Sequence, residues 1–465
     1  MDADHCAPHS GALKVMRATL FACLLACVSA QAADYYVDAE HGRDGNPGTS
    51  PEQAWQTLER VNAARLNPGD RVRFKCGQMW RGSLNVQPGT QGAPVTYTSY
   101  PGTGENADWK PRIMRSVDLA DPALWQSTGN NIWKVVPTIG GGTNVNADIG
   151  NIVLVKKGTT PKTAGFKRWS VDELRAQGDF FSSPFSSTAG PRTIFFYSEK
   201  NPAEFYSFIE AAPKINSVSV KKPEWYVLDG LAFGYTAAHG VGGAGHSHAR
   251  IRNCDFFWIG GGHLYTRNDR PTRYGNGVEF WCTATDCVVE GCRFWQIYDT
   301  AMTNQGNEKC RVSDVLWRNN IVYLCEQAYE IWFSNPESEV AGVTYEGNSS
   351  YDCGFGWGHV QRPNKNGTHL LAYRLESKVL KLHYHDNRFY NTTERMIWFY
   401  NPRLNEVACN RNIFWQEGAD PDKQPLFAWS GPHAKGIGFD TYRTETGNDT
   451  ESRFEKIERI PYFDY

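Results

Sequence analysis

The chain lacks a charge of one sign. Its 465 residues carry 48 lysines and arginines against 50 aspartates and glutamates, a balance of −2, so no basic field exists to neutralise a phosphate backbone, which argues against a nucleic-acid partner. Long apolar runs are also missing. Apart from "ATLFACLLACVSA" near the start, no stretch is long and apolar enough to span a bilayer. His239, His246, His248 and His263 gather in one region, but no cysteine or acid joins them at a metal-ligand spacing, so they are read as loop histidines and no metal is assigned. What is abundant is flat and turn-forming. Aromatic residues make up 13%, with 16 tryptophans, and 44 glycines and 24 prolines are spread along the chain, the composition of an all-β, turn-rich protein.

Lys14 and Arg17 precede the apolar run, and Ala30, Gln31 and Ala32 supply a small-x-small cleavage site. Residues 1–32 are therefore expected to be a signal peptide, with Met16 an alternative start, and the mature protein to be secreted or periplasmic. Leu24 to Cys27 also fits a lipoprotein acylation site. Of 12 cysteines, Cys6, Cys23 and Cys27 fall in this leader, and the odd number left cannot all pair.

From about residue 226 one outline recurs: "LDGLAF", "IRNCDF", "VEGCRF", "WRNNIV", "YEGNSS", "YHDNRF" and "CNRNIF". Aligned, one column reads Leu231, Cys254, Cys292, Asn320, Asn348, Asn387 and Asn412. The variable spacing fits a coil of three short strands per turn with the excess placed in loops. Asparagine suits a turn column, since it tolerates the left-handed conformation and can bond its neighbours above and below. The pairs Cys254 with Cys292, Cys282 with Cys310 and Cys325 with Cys353 fall one coil apart and are read first as stacked buried thiols, a spacing that also permits disulfides.

These motifs resemble the right-handed parallel β-helix proteins of the pectate-lyase-like superfamily, secreted bacterial proteins acting on polysaccharides. The opening "DYYVDAEHGRDGNPGTSPEQAWQTLERVNAARLNPGDRVRFKCGQMWRGSL" is similar to their N-terminal cap, and "FDTYRTETGND" to their terminal segment. On its own physics, Ser50 predicts an N-cap with Pro51 at the first helical position and Gln53 closing a capping box, followed by Ala54, Trp55, Leu58 and Val61 on one face. The expected organisation is an N-terminal cap and first coils over 33–109, a β-rich insertion over 110–222, coils over 223–430 and a C-terminal cap over 431–465.

On such a solenoid, "GNGVEFW" and "QAYEIWF" place Glu279 and Glu330 at matching positions two coils apart, with Met302 counted on the coil between. Stacking at ~4.8 Å per coil puts their backbones about 10 Å apart, a span that suits the ~6.5–9.5 Å of an inverting acid and base pair. Asp299 lies near either. Trp281 and Trp332 beside them, and Trp398 further on, offer faces on which sugar rings stack. His359, Arg362 and Lys365 in the glycine-rich "GFGWGHVQRPNKNG" are expected to orient the sugar, and Arg273 and Tyr274 in "GHLYTRNDRPTRYGNG" to overhang the groove. The expectation is a monomeric polysaccharide-cleaving hydrolase needing no cofactor. The resemblance also implies a rival, a polysaccharide lyase with Arg362 or Lys365 as base and Glu279 and Glu330 holding Ca²⁺. A non-catalytic carbohydrate-binding or adhesion solenoid is the third reading.

Overall fold

The computed structural model describes residues 32–139, 147–183, 192–220, 224–400 and 406–465; the expected signal peptide lies, but for its last residue, outside the described residues. Each coil lays down three short strands that pair in parallel with their equivalents on the next coil. What is called here the site sheet contains the first part of Val278–Glu290, then Thr300–Gly306, Gln327–Phe333, Thr368–Leu375, Arg395–Phe399 and Phe427–Trp429. A second sheet stacks Asp255–Ile259, Arg293–Ile297, Ile321–Tyr323, Ser349–Cys353, Arg388–Thr392 and Ile413–Trp415. The third stacks Arg250–Arg252, the end of Val278–Glu290, Arg311–Arg318, Glu339–Glu346, Val379–His385 and Val407–Asn410. This is the all-β, right-handed parallel β-helix that the resemblance implied; strand twist sets that hand for parallel crossovers.

Alternation along each strand decides what fills the interior. Val278, Met302, Tyr329, Leu370, Ile397 and Phe427 pair in one column and are fully buried, while the next residue of each strand points out. Because the side-chain period is two, this inward column fixes which residues face outward.

The asparagine column is a ladder. The Cys292 N–H donates to Asn320 Oδ1 at 2.9 Å, Asn320 N–H to Asn348 at 2.9 Å, Asn348 N–H to Asn387 at 2.9 Å and Asn387 N–H to Asn412 at 3.0 Å. Each amide nitrogen also donates to a strand carbonyl, of Val289, Trp317, Tyr345 and Tyr384 in turn. The left-handed residue is the one before the ladder position, in the column Gly230, Asn253, Gly291, Asn319, Gly347, Asp386 and Arg411. The ladder amides thus satisfy buried backbone groups at a corner where the ordinary strand pairing is interrupted.

At the N-terminal end the helix starts later than the capping box predicts. Pro51–Gln53 is a single 3₁₀ turn and Ser50 caps nothing; the helix is Leu58–Ala63, capped by Thr57, whose hydroxyl accepts from Arg60 N–H at 3.1 Å. Asp44 explains the shift, because its carboxylate accepts from the N–H groups of Gln56 and Thr57 and from the Thr57 hydroxyl, fixing the entry to the helix there. Phe439–Thr446 closes the other end, with Tyr442 stacked on Phe427 at 4.8 Å.

Two small sheets, one antiparallel and one mixed, interrupt the coils between Val117 and Pro213, around a separate core that includes Trp125, Ile152, Phe180 and Phe196. Arg112–Met114 before them and Val218–Ser219 after them already belong to solenoid sheets. The cysteine pairs diverge: Cys282 and Cys310 are disulfide-bonded, whereas Cys254, Cys292, Cys325 and Cys353 are buried thiols. Residues 457–465 form a strap that runs back across the second sheet. Tyr462 stacks on Tyr323 at 4.8 Å, Arg459 pairs with Asp352 at 2.6 Å, Asp464 accepts from the indoles of Trp258 and Trp295, and the Tyr465 hydroxyl donates to Asp255 at 2.6 Å.

Replacing Asn348 by leucine leaves the Asn320 N–H and the Trp317 carbonyl buried without partners. The variant is expected to lose roughly 2–4 kcal/mol of stability, to be read from its urea midpoint; a loss below ~0.5 kcal/mol would show that the ladder fills space and does no more.

Candidate active site

The outward column of the site sheet reads Glu279, Thr303, Glu330, Leu371 and Trp398. The two glutamates therefore do share one column two coils apart, as the sequence implied. The residue between them is Thr303, however, and Met302 faces the core, because the strand begins its in-and-out alternation one residue away from the counted position. Thr303 is fully buried, and its hydroxyl has no hydrogen-bond partner among the described residues.

The two carboxyls have opposite surroundings. Glu279 is 6% exposed and faces three donors. Asn276 Nδ2 donates to its Oε2 at 2.9 Å, Gln305 Nε2 donates to the same oxygen, and His239 Nε2 stands 3.4 Å from Oε1. Each donor is locked in orientation from behind. Asn276 Oδ1 accepts from the Thr300 N–H at 3.1 Å, Gln305 Oε1 accepts from the Trp332 indole at 2.6 Å, and His239 Nδ1 accepts from the Asn276 N–H at 3.1 Å, which leaves the imidazole proton on Nε2. An indole or a backbone N–H can only donate, so none of the three partners can turn an acceptor towards Glu279.

Glu330, 7% exposed, is held differently. Burial first, and the charge of Asp299 second, push its pKa up to about 8, against a hydrogen bond from the Tyr373 hydroxyl and the charge of Arg362. It is a carboxyl kept protonated near neutral pH. Asp299 sits at the corner before Thr300–Gly306 and pairs with Arg362 Nη1 at 2.6 Å.

One side of the cleft is aromatic. Trp281 meets Trp332 edge-on at 5.7 Å, Trp332 stacks on Tyr373 at 6.0 Å and Tyr373 on Tyr400 at 5.6 Å. Trp398 lies in the Glu330 column under the Arg395 guanidinium, 4.2 Å away. The disulfide of Cys282 anchors the strand just beyond Trp281.

The basic residues expected to orient a sugar are mostly engaged elsewhere. The segment 354–367 contains a short helix, Trp357–Gln361, and is pinned by the buried Glu326: His359 Nδ1 lies 3.1 Å from that carboxylate and the Asn366 N–H donates to it at 2.8 Å. Arg362 is spent on Asp299 and the Tyr298 carbonyl. Lys365 is exposed. Arg273 does not overhang the cleft. It is 6% exposed, donates to the carbonyls of Gly261 and Gly150 and to Gln361 Oε1, and lies over the Tyr298 ring. It was misplaced because residues 262–274 form a β-hairpin whose base is packed into the inserted sheets, and a buried guanidinium is held where carbonyls can satisfy it. Tyr274 does reach the site, edge-on to His239 at 5.0 Å.

Asn276, Thr303, Gln305, Glu326 and Tyr373 were not singled out from the sequence, and His239 was read there only as a loop histidine. Gln305 had a legible signal, since it lies one coil from both Trp281 and Trp332 and so belongs to their column. His239 had none, because its approach depends on a turn whose course no repeat dictates.

No protein-family model matches the chain. Short segments are similar to two curated proteins. A lacto-N-biosidase of Bifidobacterium longum subsp. longum is 34% identical over 93 residues, 19% of this chain and 6% of that protein. An alpha-1,3-galactosidase A of Akkermansia muciniphila is 30% identical over 89 residues, 18% of this chain and 15% of that protein. The matches thus span a small part of those relatives' lengths. Among solved structures, the complex of XylC with xylose is similar at a TM-score of 0.47 and 12% identity, over 83% of this chain and 66% of that one.

The raised pKa of Glu330 carries a stability signature. Between the unfolded value of 4.5 and about 8, the folded state binds a proton that the unfolded chain has released, so stability falls as pH rises through that window and levels off above it. Against Glu330→Gln, the wild type is expected to lose roughly 3–5 kcal/mol between pH 5 and pH 9; parallel melting curves for the two proteins across that range would contradict the assignment.

Proposed function

We propose that the protein is a carbohydrate-active enzyme acting outside the cytoplasm, a glycoside hydrolase that uses Glu330 as general acid and Glu279 as general base. The observation that carries this reading is the contrast between the two equally buried carboxyls: Glu330 lies beside Asp299 and the Tyr373 hydroxyl, where burial and charge raise its pKa, and Glu279 is ringed by donors that cannot turn away. Pairs of titratable groups with opposed environments mark acid and base roles.

In this mechanism the sugar lies against Trp281 and Trp332, and Glu330 gives its proton to the glycosidic oxygen as the bond to the anomeric carbon breaks. Glu279 takes a proton from the water that attacks that carbon from the opposite side. Two strand steps, about 10 Å of backbone, separate the glutamates, with only the short side chain of Thr303 between them in the column; that separation favours inversion of configuration. Asp299 keeps the Glu330 proton in place by its charge, and Arg362 keeps Asp299 in place. The proton returns from Glu279 to Glu330 through solvent after the products leave.

The elimination reading has less support. It needs a base at Arg362 or Lys365, but Arg362 lies against Asp299 and Glu326 and holds its proton more tightly than an ordinary guanidinium. Nor do the glutamates fit Ca²⁺, which takes 6–8 oxygen ligands: Glu279 is bonded to amide and imidazole nitrogens, and no group of three or more acids, histidines or cysteines placed to hold a metal ion occurs among the described residues. The alpha-1,3-galactosidase and lacto-N-biosidase names of the partial relatives agree with hydrolysis.

A panel of neutral and uronate-containing polysaccharides, followed for reducing ends and for ultraviolet absorbance together, tests the reading. Reducing ends without absorbance are expected, with kcat falling as pH rises through about 8, where Glu330 loses its proton. Glu330→Gln and Glu279→Gln should each lower kcat by roughly 10²–10⁴-fold. Absorbance growing with the reducing ends would replace this mechanism by elimination, and ligand binding with no product, unchanged in either variant, would favour a binding solenoid.

A further inference from the structure

The cleft is walled at one end. On the coil before Glu279 the outward position is Gly242, aligned through the pairing of Val241 with Val278. A Cβ at Gly242 would fall 2.9 Å from both Cβ and Cδ2 of His239, so the imidazole lies directly on that backbone and blocks the column. Tyr274 stands edge-on behind it, and Lys214 Nζ is 5.9 Å from the Tyr274 ring.

This wall is a fixed joint. Lys214 donates to the His263 carbonyl at 2.9 Å, the His263 N–H donates to Asp148 at 2.8 Å, and Asp148 pairs with the fully buried Lys167 at 2.6 Å. Arg273 ties the hairpin to the inserted sheets and to the helix Trp357–Gln361. Towards the later coils Leu371 and Ala428 of the column are buried, but the aromatic side runs out to solvent, from half-buried Trp332 and Tyr373 to Tyr400, which is 45% exposed.

Charge narrows the occupant. Glu279, Glu330, Asp299 and Glu326 surround the floor of the cleft, while Arg362 is engaged by Asp299, and Arg273 and Lys167 are buried within the wall. A carboxylate on the sugar beside the two glutamates would face their carboxyls, whereas Arg395, over Trp398, and Arg374, near Tyr400, stand further out along the face.

We infer that the cleft takes the end of a glycan chain whose terminal sugar is uncharged, lodging that sugar against His239 and Tyr274 and laying the rest along Trp332, Tyr373 and Tyr400, so that cleavage releases one short product from a chain end. This rests on the hydrolase reading for the chemistry, but the direction and closure of the cleft are independent of it.

The test uses fluorescently end-labelled galacto-, gluco- and xylo-oligosaccharides of increasing length, with oligogalacturonates alongside, and reads product lengths over time. One short product from the earliest points, from neutral chains alone, is expected. Internal fragments of mixed length, or equal cleavage of the uronates, would overturn the proposal. Tyr400→Ala, outside the catalytic groups, should raise KM about fivefold for long chains and leave it unchanged for the shortest substrate; an equal rise at every length would overturn the assigned direction. Calorimetric titration of Glu330→Gln with the same oligosaccharides reads the cleft without turnover: affinity climbing with length and reduced by Tyr400→Ala supports the inference, and length-independent affinity overturns it. Unsaturated product ends released from one chain end would sink the hydrolase mechanism while leaving this inference standing, whereas saturated internal fragments would do the reverse.

Discussion

The structure depends on one constraint, the roughly 4.8 Å step between hydrogen-bonded strands. Every coil must return to the same place in three dimensions for its strands to pair, whatever the length of the loops it carries. That is why residues dozens of positions apart in sequence become neighbours at a fixed spacing, and why each column of the solenoid can be given a single job. One column packs the lumen, one satisfies corner backbone through asparagine, and one presents carboxyls. Charges follow the same rule: Asp229, Arg252, Glu290, Arg318 and Glu346 pair in order on the third sheet, alternating in sign, with Glu290 and Arg318 2.6 Å apart, and the imidazole of His385 lies 3.5 Å from Glu346 on the next coil. A register slip of one residue would set the inward set outward and break this alternation at once.

Because of that constraint much of the fold was legible before any coordinates. The repeat outline gave the coils, the asparagine column and the shared column of Glu279 and Glu330. The count failed by one residue at Met302 because a corner of variable length lies between the outline and the site strand, and only the inward packing decides parity. The cap helix was misjudged for a related reason: Asp44, remote from the Ser50 motif, holds the backbone at Thr57 and outweighs the local capping signal.

The chemistry of the site was less legible than its location. Both glutamates sit in similar sequence contexts, each followed by two apolar residues of which the second is a tryptophan. What separates them is supplied from other coils and turns: Tyr373 and Asp299 beside one, Asn276, Gln305 and His239 around the other. The arginines misled because long cationic side chains near a groove resemble ligand donors in sequence, whereas here Arg273 secures a joint between the hairpin and the inserted sheets, and Arg362 orients an acid. The insertion, obscure in sequence, buttresses the hairpin that sets Tyr274 beside His239.

The strap of residues 457–465 changes how such a molecule comes apart. A stack of coils that touch only their neighbours is a one-dimensional system, and its outermost turns can peel away singly. Here the chain, having completed its last coil, doubles back over Tyr323 and Trp295 to reach Asp255 and, through Asp464, Lys162 of the insertion. The final turn is thereby fastened to elements nearly two hundred residues or more earlier in sequence. Fraying from that end must first release the middle, so the strap converts a zipper into a buckled belt whose coils melt together.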